Sequence, residues 1–293
     1  MMLDFFDDPI LCPGALAARQ KMWYHKKDTW QGSDPVIKAA FFDIDGTLYS
    51  HRTNSIPASA LDALNKLHER GVRIFLATGR SKSVLEELPA LQAIPYDGAI
   101  TLNGAYCYDH QTLIHHDPIP REDILSLLDY LEQEPVPCGF IEGDRTYINF
   151  HNQRVFDVHE AIHTPPLPLG DLQRGRSQPV YQILLYLTEN DPIAQIPMPH
   201  TRFARWFTGG IDGFSATAGK AAGVVKILAH YGIRREEAIA FGDAENDLDM
   251  FDAVQTAVAM GNAAPRIQAV ADYVTADIDD DGIYRALTRL GLI

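Results

Sequence analysis

What most constrains this chain is a repeated rhythm: short, almost wholly apolar runs end on a carboxylate, a hydroxyl or a glycine, and a helical pattern follows. Val36–Phe42 is apolar but for Lys38 and stops at Asp43. Pro57–Arg70 then sets Leu61, Leu64 and Leu67 at helical spacing and is closed by Gly71. Val72–Ala77 is a second apolar run, ending at Thr78-Gly79-Arg80; Ser81–Leu88 reads as a helix and Gly98–Leu102 as a third apolar run. Strands apolar on both faces need cover on both sides. Alternating with helices at this spacing, they predict βαβ units and a parallel sheet, an α/β fold.

The middle of the chain departs from this rhythm. Tyr106–Asp117 reads as a hairpin, and Arg121–Glu132 as an amphipathic helix with Ile124, Leu127, Leu128 and Leu131 on one face. Cys138–Ile141 and Thr146–Phe150 read as strands around a Gly143-Asp144 turn, Val155–His163 as a helix, and Val180–Leu187 and Arg202–Phe207 as strands. That is an α+β insert of ordinary domain size. The first rhythm then returns, with a helix from Lys220 and a strand over Ala238–Phe241 that ends at Gly242-Asp243. The expected organisation is an N-terminal extension over 1–35, a core over 36–117, the insert over 118–210 and the core again over 211–293.

Composition narrows the function. With 46% apolar and 22% charged residues the chain can bury a sizeable core, which excludes disordered and fibrous classes. Its 39 acidic against 25 basic residues leave a net charge of −14, unsuited to non-specific binding of nucleic acid or anionic membranes. Cys12, Cys107 and Cys138 are scattered and odd in number, so no disulfide framework or zinc knuckle is readable, and a cytoplasmic location is expected. No run approaches the ~18 apolar residues of a membrane span. Met1–Pro9 carries Asp4, Asp7 and Asp8 rather than the basic start of a secretory signal.

The chemistry-bearing residues sit where the apolar runs end. Asp43-Ile44-Asp45-Gly46-Thr47-Leu48 puts two carboxylates at the carboxyl end of a strand, the edge at which open α/β sheets bind ligands. The plain alternative is a strand stopped by an Asp-Gly turn. An EF-hand is excluded, since Leu48 and Asn54 stand where its Gly and Glu belong. Gly242-Asp243-Ala244-Glu245-Asn246-Asp247 is a second acidic cluster after a strand; its alternative is a solvated helix start. Two such clusters on parallel strands suit one Mg²⁺ shared with a phosphate. Thr78-Gly79-Arg80 offers a hydroxyl and backbone N–H groups to an anionic oxygen, or simply caps a helix. Lys220 opens a helix, where a cation opposes the dipole unless an anion compensates it. This is not a P-loop: five residues separate Gly213 from Gly219, and Ala221 has no hydroxyl.

One rival signal is His159-Glu160-Ala161-Ile162-His163, which has the spacing of zinc hydrolases. Its helix is stopped by Pro165-Pro166 and no third ligand is announced, so ordinary polar helix residues are the expected reading. His115-His116 reads as an exposed strand end, Asp279–Asp281 as a solvated loop, and Tyr106 with Tyr108 as a half-buried strand.

Taken together, Asp43-x-Asp45-Gly-Thr, Thr78-Gly79-Arg80, Lys220 and Gly242-Asp243-x-x-Asn246-Asp247 resemble, in order, the four motifs of the haloacid dehalogenase superfamily. The insert after the third strand, Leu102-Asn103-Gly104-Ala105 and the tail Ala271–Thr275 resemble its Cof-type phosphatases. The likeness covers Val36 to Ile293 and implies a Rossmann-like parallel-sheet core with an inserted α+β (type IIB) cap. It implies that Asp43 is a nucleophile forming an aspartyl-phosphate and Asp45 the general acid and base. It places Mg²⁺ on Asp43, the Asp45 backbone carbonyl and Asp243, with Asp247 and Asn246 orienting that shell. Thr78 and Lys220 would stabilise the transferring phosphoryl group. Gly79, Arg80, Asn103, Gly104 and Asn246 are the expected substrate contacts, with Glu142, Arg145 or Tyr147 contributing from the cap. The implied substrate is a small phosphorylated metabolite, first a sugar phosphate. A nucleotide, flavin mononucleotide or pyridoxal phosphate, a phosphomutase reaction and an inactive binding module are the alternatives.

Overall fold

A computed structural model describes residues 36–188, 190, 191 and 196–293. The expected extension over 1–35 lies outside the described residues. Two sheets organise the rest. The first has eight strands in the order β13-β12-β11-β1-β2-β3-β4-β5. Its strands are β1 (Ala39–Phe42), β2 (Arg73–Ala77), β3 (Gly98–Thr101), β4 (Tyr106–Asp109), β5 (Leu113–His116), β11 (Ala238–Gly242), β12 (Thr256–Ala259) and β13 (Tyr273–Val274). The six strands from β13 to β3 run parallel; β4 and β5 add an antiparallel hairpin at one edge.

All four residues of β1 are buried, and alternation sends them to opposite faces. Ala40 and Phe42 face α1 (Ala58–Glu69) and α8 (Gly282–Arg289) through Ala63, Leu64, Leu67, Ala286 and Leu287. Ala39 and Phe41 face α5 (Lys220–Tyr231) and α6 (Leu248–Ala253) through Val224, Ile227, Met250 and Phe251. The register pairs Phe41 with Phe75 and Phe42 with Phe241, and the rings stack at 5.1 and 4.7 Å. Truncating one such buried ring costs about 3–5 kcal/mol, so β1 is an anchor for the loop that follows it. The chain leaves β1 toward β2 on one side and returns beside it as β11 on the other. The crevice at the carboxyl ends of β1 and β11 is therefore a topological switch point.

The insert forms its own antiparallel sheet in the order β7-β6-β8-β10-β9. Its strands are β6 (Cys138–Ile141), β7 (Thr146–Ile148), β8 (Gln182–Leu185), β9 (Thr201–Phe207) and β10 (Gly210–Ser215). The amphipathic α3 (Arg121–Gln133) buries Ile124, Leu127 and Leu128 against Phe140, Ile183 and Ile211. A shorter helix, α4 (Gln153–Ala161), packs Val155 and Val158 against Ile148 and Tyr186. The expected end of the insert at 210 needs correction. β10 lies between β8 and β9 and bonds to both, so the insert's sheet continues to Ser215. Pairing on both sides makes Asp212-Gly213 part of a strand. The two connections to the core are tied together by the Thr217 hydroxyl, which donates to Asp117 Oδ2 at 2.8 Å. Ile141 and Tyr181 of the insert close on Leu102, Ala105 and Ala218.

Candidate active site

The parallel ladder places the first acidic residue. The Asp43 N–H donates to the Phe241 carbonyl at 3.0 Å, which brings Asp43 beside the turn that begins at Gly242. Lys220, first residue of α5, is fully buried, and its Nζ donates to Asp43 Oδ1 and Asp247 Oδ1, each at 2.6 Å. The compensation missing at that helix start in the sequence is thus supplied by two carboxylates. Asp247, also fully buried, accepts the N–H groups of Asp243 and Ala244 on Oδ2, both at 3.0 Å. The Thr47 hydroxyl donates to Asp243 Oδ1 at 2.8 Å. Carboxylate oxygens of Asp43, Asp243 and Asp247 lie within 4.8 Å of one another.

The second rim of the crevice comes from β2 and β3. Thr78 is buried; its N–H donates to the Ile100 carbonyl at 2.8 Å and its Oγ1 accepts the Arg80 N–H at 3.1 Å. Arg80 grips Asp45 with two parallel bonds, Nε to Oδ2 at 2.8 Å and Nη2 to Oδ1 at 2.6 Å. Asn103, at φ +51°, donates its N–H to the Thr78 carbonyl at 3.0 Å and accepts from Asn246 Nδ2 at 3.1 Å. Gly79 runs close beneath the Asn103 carboxamide. Gly104 has φ +96°, and a Cβ there would collide with the Gly219 carbonyl, so only glycine lets this turn close on the residue before Lys220.

Charge is unbalanced in this crevice. Burial pushes Asp43 well above the usual carboxylate range, with Asp247 and Asp243 adding to the rise and Lys220 opposing it. Burial, reinforced by Asp247, pushes Asp243 up to about 6 against the Thr47 hydrogen bond. Burial works against the charge on Lys220, but Asp247 and Asp43 outweigh it and raise its pKa. Three clustered carboxylates against one ammonium are a surplus of buried negative charge, and oxygen donors in that arrangement suit a hard divalent cation. Asp247 has both oxygens engaged by Lys220 and backbone N–H groups, so it fits an orienting role better than a direct bond to metal. The Asp45 carboxylate faces Arg80.

Every expected core-side site residue therefore lies at one edge of the first sheet. Two insert-side expectations change. Glu142 is buried and locked inside the insert, accepting the Tyr147 hydroxyl at 2.7 Å and Arg174 at 3.2 and 2.9 Å, so Glu142 and Tyr147 bind each other. Arg145 is exposed on the adjoining turn. The zinc-like pair does not form a site. Both ring nitrogens of His159 bond to hydroxyls, of Thr164 at 2.9 Å and Tyr186 at 2.7 Å, and His163 lies past the end of α4 at φ +55°. Tyr106 packs edge-on against Tyr181 of the insert at 5.2 Å, making it part of the seam between the sheets. Sequence reasoning missed His51, whose Nε2 is 3.2 Å from Asp45 Oδ1. It sits in an exposed turn with no period or motif to mark it.

The sequence profile of the haloacid dehalogenase-like hydrolases matches residues 40–287. The chain belongs to that family. Within it the chain is a phosphatase, as the curated relatives and solved structures it matches bear out. It is 31% identical over 258 residues to a putative phosphatase, YkrA, of Bacillus subtilis, covering 87% of this chain and 98% of that one. It is 27% identical to the pyridoxal phosphate phosphatase YbhA of Escherichia coli over 82% of this chain and 94% of that one. The subclass IIB sugar phosphatase BT4131 superposes with a TM-score of 0.74 at 37% identity, covering 87% of this chain and all of that one. The insert is thus a cap on the family's core. No helix among the described residues is long and apolar enough to cross a membrane.

Proposed function

We propose that this phosphatase hydrolyses small phosphorylated metabolites in the cytoplasm, sugar phosphates first among them, through an aspartyl-phosphate on Asp43 with Mg²⁺ bound. The observation that carries the reading is Lys220, buried between Asp43 and Asp247 at the strand ends. It holds one oxygen of Asp43 and leaves the other to attack phosphorus. The P–O bond to the leaving group breaks as the Asp43–phosphorus bond forms, and Asp45 gives the leaving oxygen its proton. Asp45 then takes a proton from water as that water attacks the aspartyl-phosphate, releasing inorganic phosphate and restoring Asp43 as a carboxylate and Asp45 as the acid. Asp43, Asp243 and the Asp45 backbone carbonyl would hold Mg²⁺, with Asp247 and Asn246 orienting them. Bound there, the ion would neutralise charge on the phosphoryl oxygens. Lys220, the Thr78 hydroxyl and the Gly79 N–H supply donors to the same oxygens. Arg80, Asn103, Gly104 and Asn246 line the substrate side, and the cap closes over it and excludes water.

The likeness to the sugar phosphatase favours sugar phosphates; the likeness to YbhA supports pyridoxal phosphate as the second reading. A screen of phosphate release over sugar phosphates, nucleotides, flavin mononucleotide and pyridoxal phosphate, with and without Mg²⁺, separates them. Hydrolysis of sugar phosphates only with Mg²⁺ is expected. Full activity after chelation would overturn the metal reading, and a preference for pyridoxal phosphate the sugar reading. Sugar bisphosphate formation without phosphate release would indicate a phosphomutase.

A further inference from the structure

Two stretches far apart in sequence meet beneath the loop that follows the nucleophile. Asn262, just beyond β12, is exposed, yet both ends of its carboxamide are engaged. Its Nδ2 donates to the Gly46 carbonyl at 2.8 Å, and its Oδ1 accepts the N–H of Ile278 at 3.0 Å. Gly46 has φ +87°, and a Cβ there would run into the Asp243 carboxylate, with Cγ only 2.8 Å away. The next residue, Thr47, is fully buried and donates to Asp243 Oδ1. The Gly46–Thr47 peptide is therefore the floor on which the Asp243 carboxylate rests, and Asn262 holds that floor by its carbonyl. A second tie, Arg52 Nε to Asp279 Oδ2 at 2.7 Å, joins the same loop to the same C-terminal turn, but at the loop's exposed tip.

We infer that Asn262 is a positioning residue for Asp243, acting through Gly46 and Thr47; this rests on the metal reading above. A hydrogen bond to a backbone carbonyl leaves a peptide few ways to turn. Freed from it, the Gly46–Thr47 peptide keeps only the long 3.3 Å bond from the Thr47 N–H to the Ile44 carbonyl, and glycine opposes rotation least of any residue. The Thr47 hydroxyl would then leave Asp243 Oδ1, and the carboxylate would lose its fixed direction toward Asp43. Groups that orient metal ligands in this way commonly govern affinity and rate as strongly as weaker ligands do.

The test uses Asn262→Ala and Asn262→Asp in the full chain. The Asp variant keeps an oxygen for the Ile278 N–H but turns a second oxygen toward the Gly46 carbonyl. Its added negative charge would by itself tighten cation binding, so any weakening reports lost geometry. Mg²⁺ affinity is read by calorimetry without substrate, and kcat and KM for p-nitrophenyl phosphate at saturating Mg²⁺. Both variants should bind Mg²⁺ about tenfold or more weakly. Both should lower kcat while KM changes little. Asp279→Asn, which weakens the loop's ties through Arg52 and Ser50 without touching Gly46, should keep the wild-type Mg²⁺ affinity. Wild-type Mg²⁺ affinity in Asn262→Asp, or a lower melting temperature with unchanged affinity in Asn262→Ala, would show that Asn262 merely fastens the C-terminal turn. If the wild-type chain binds no divalent cation, the metal reading falls and Asn262's role with it. Mg²⁺ binding without hydrolysis of any phosphate ester would fault the substrate reading alone.

Discussion

At the scale of single residues, the site is built on Lys220. Alone at a helix start its charge is misplaced; between Asp43 and Asp247 it sets one ammonium against three carboxylates. Replacing Asp43 by Asn should abolish turnover and covalent phosphorylation. Its melting temperature without metal should match or exceed that of the wild type, because burial already opposes the charge on Asp43. A clearly lower melting temperature would mean that Asp43 holds the fold together. Asp45→Ala separates the two steps. Alkyl esters such as sugar phosphates should slow by the ~10²–10⁴ typical of lost general acid catalysis. An aryl ester needs little protonation to leave, so its first step should survive, and a phosphoprotein mapping to Asp43 should accumulate in intact-mass measurements. Equal slowing of both esters would refute the role given to Asp45. The positions of these aspartates were legible because each lies directly after an apolar run. The grip of Arg80 on Asp45 and the approach of His51 were not, because they join residues on different turns.

At the scale of elements, the strands and helices carried clear periods and appear where those periods place them. β10 and the two-residue β13 did not: Gly210, Asp212 and Gly213 are weak strand formers, and the ladders to β9 and β8 hold β10 extended. The β6–β7 turn shows the same limit. Glu142 looked like a residue that reads substrate, but Tyr147 and Arg174 occupy its oxygens. Glu142→Ala leaves a buried hydroxyl and a guanidinium without their acceptor and should destabilise the fold by about 1–3 kcal/mol in denaturant titrations. Relative kcat/KM among sugar phosphates should be unchanged; a shift in selectivity would return Glu142 to the substrate site. Before β11, Glu237 is held down to about 2 by its bond to Lys38, then by the Arg234 backbone and side chain. A depressed carboxylate stabilises the fold above its unfolded value and loses that contribution as pH falls through the folded one. Glu237→Gln should therefore melt below the wild type at pH 7, and the gap should close between about pH 4.5 and about pH 2. A gap that widens on acidification would contradict the sign.

At the scale of the whole molecule, two sheets meet over one crevice. Loading that crevice should stabilise the assembly, since a ligand of the native state at a hundred times its Kd adds about 2.7 kcal/mol. Mg²⁺ should raise the melting temperature of the wild type over that of the chelated protein, and should not do so for Asp243→Ala. Equal midpoints with and without Mg²⁺ in the wild type would contradict the three-carboxylate site. By itself the sequence determined that a parallel α/β sheet is interrupted by an α+β insert, that carboxylates and a hydroxyl stand at strand ends, and that a lysine opens a helix. Those properties are local: apolar alternation, helical spacing and turn chemistry act within about ten residues of chain. Only the tertiary structure decided that Lys220 reaches Asp43 and Asp247, that Glu142 turns inward, that β10 completes the cap sheet and that Asn262 holds Gly46. Most of those join groups distant in sequence, Lys220 with Asp43, Arg174 with Glu142 and Asn262 with Gly46, and their meeting depends on sheet order and on which face of an element is buried, which no local pattern encodes.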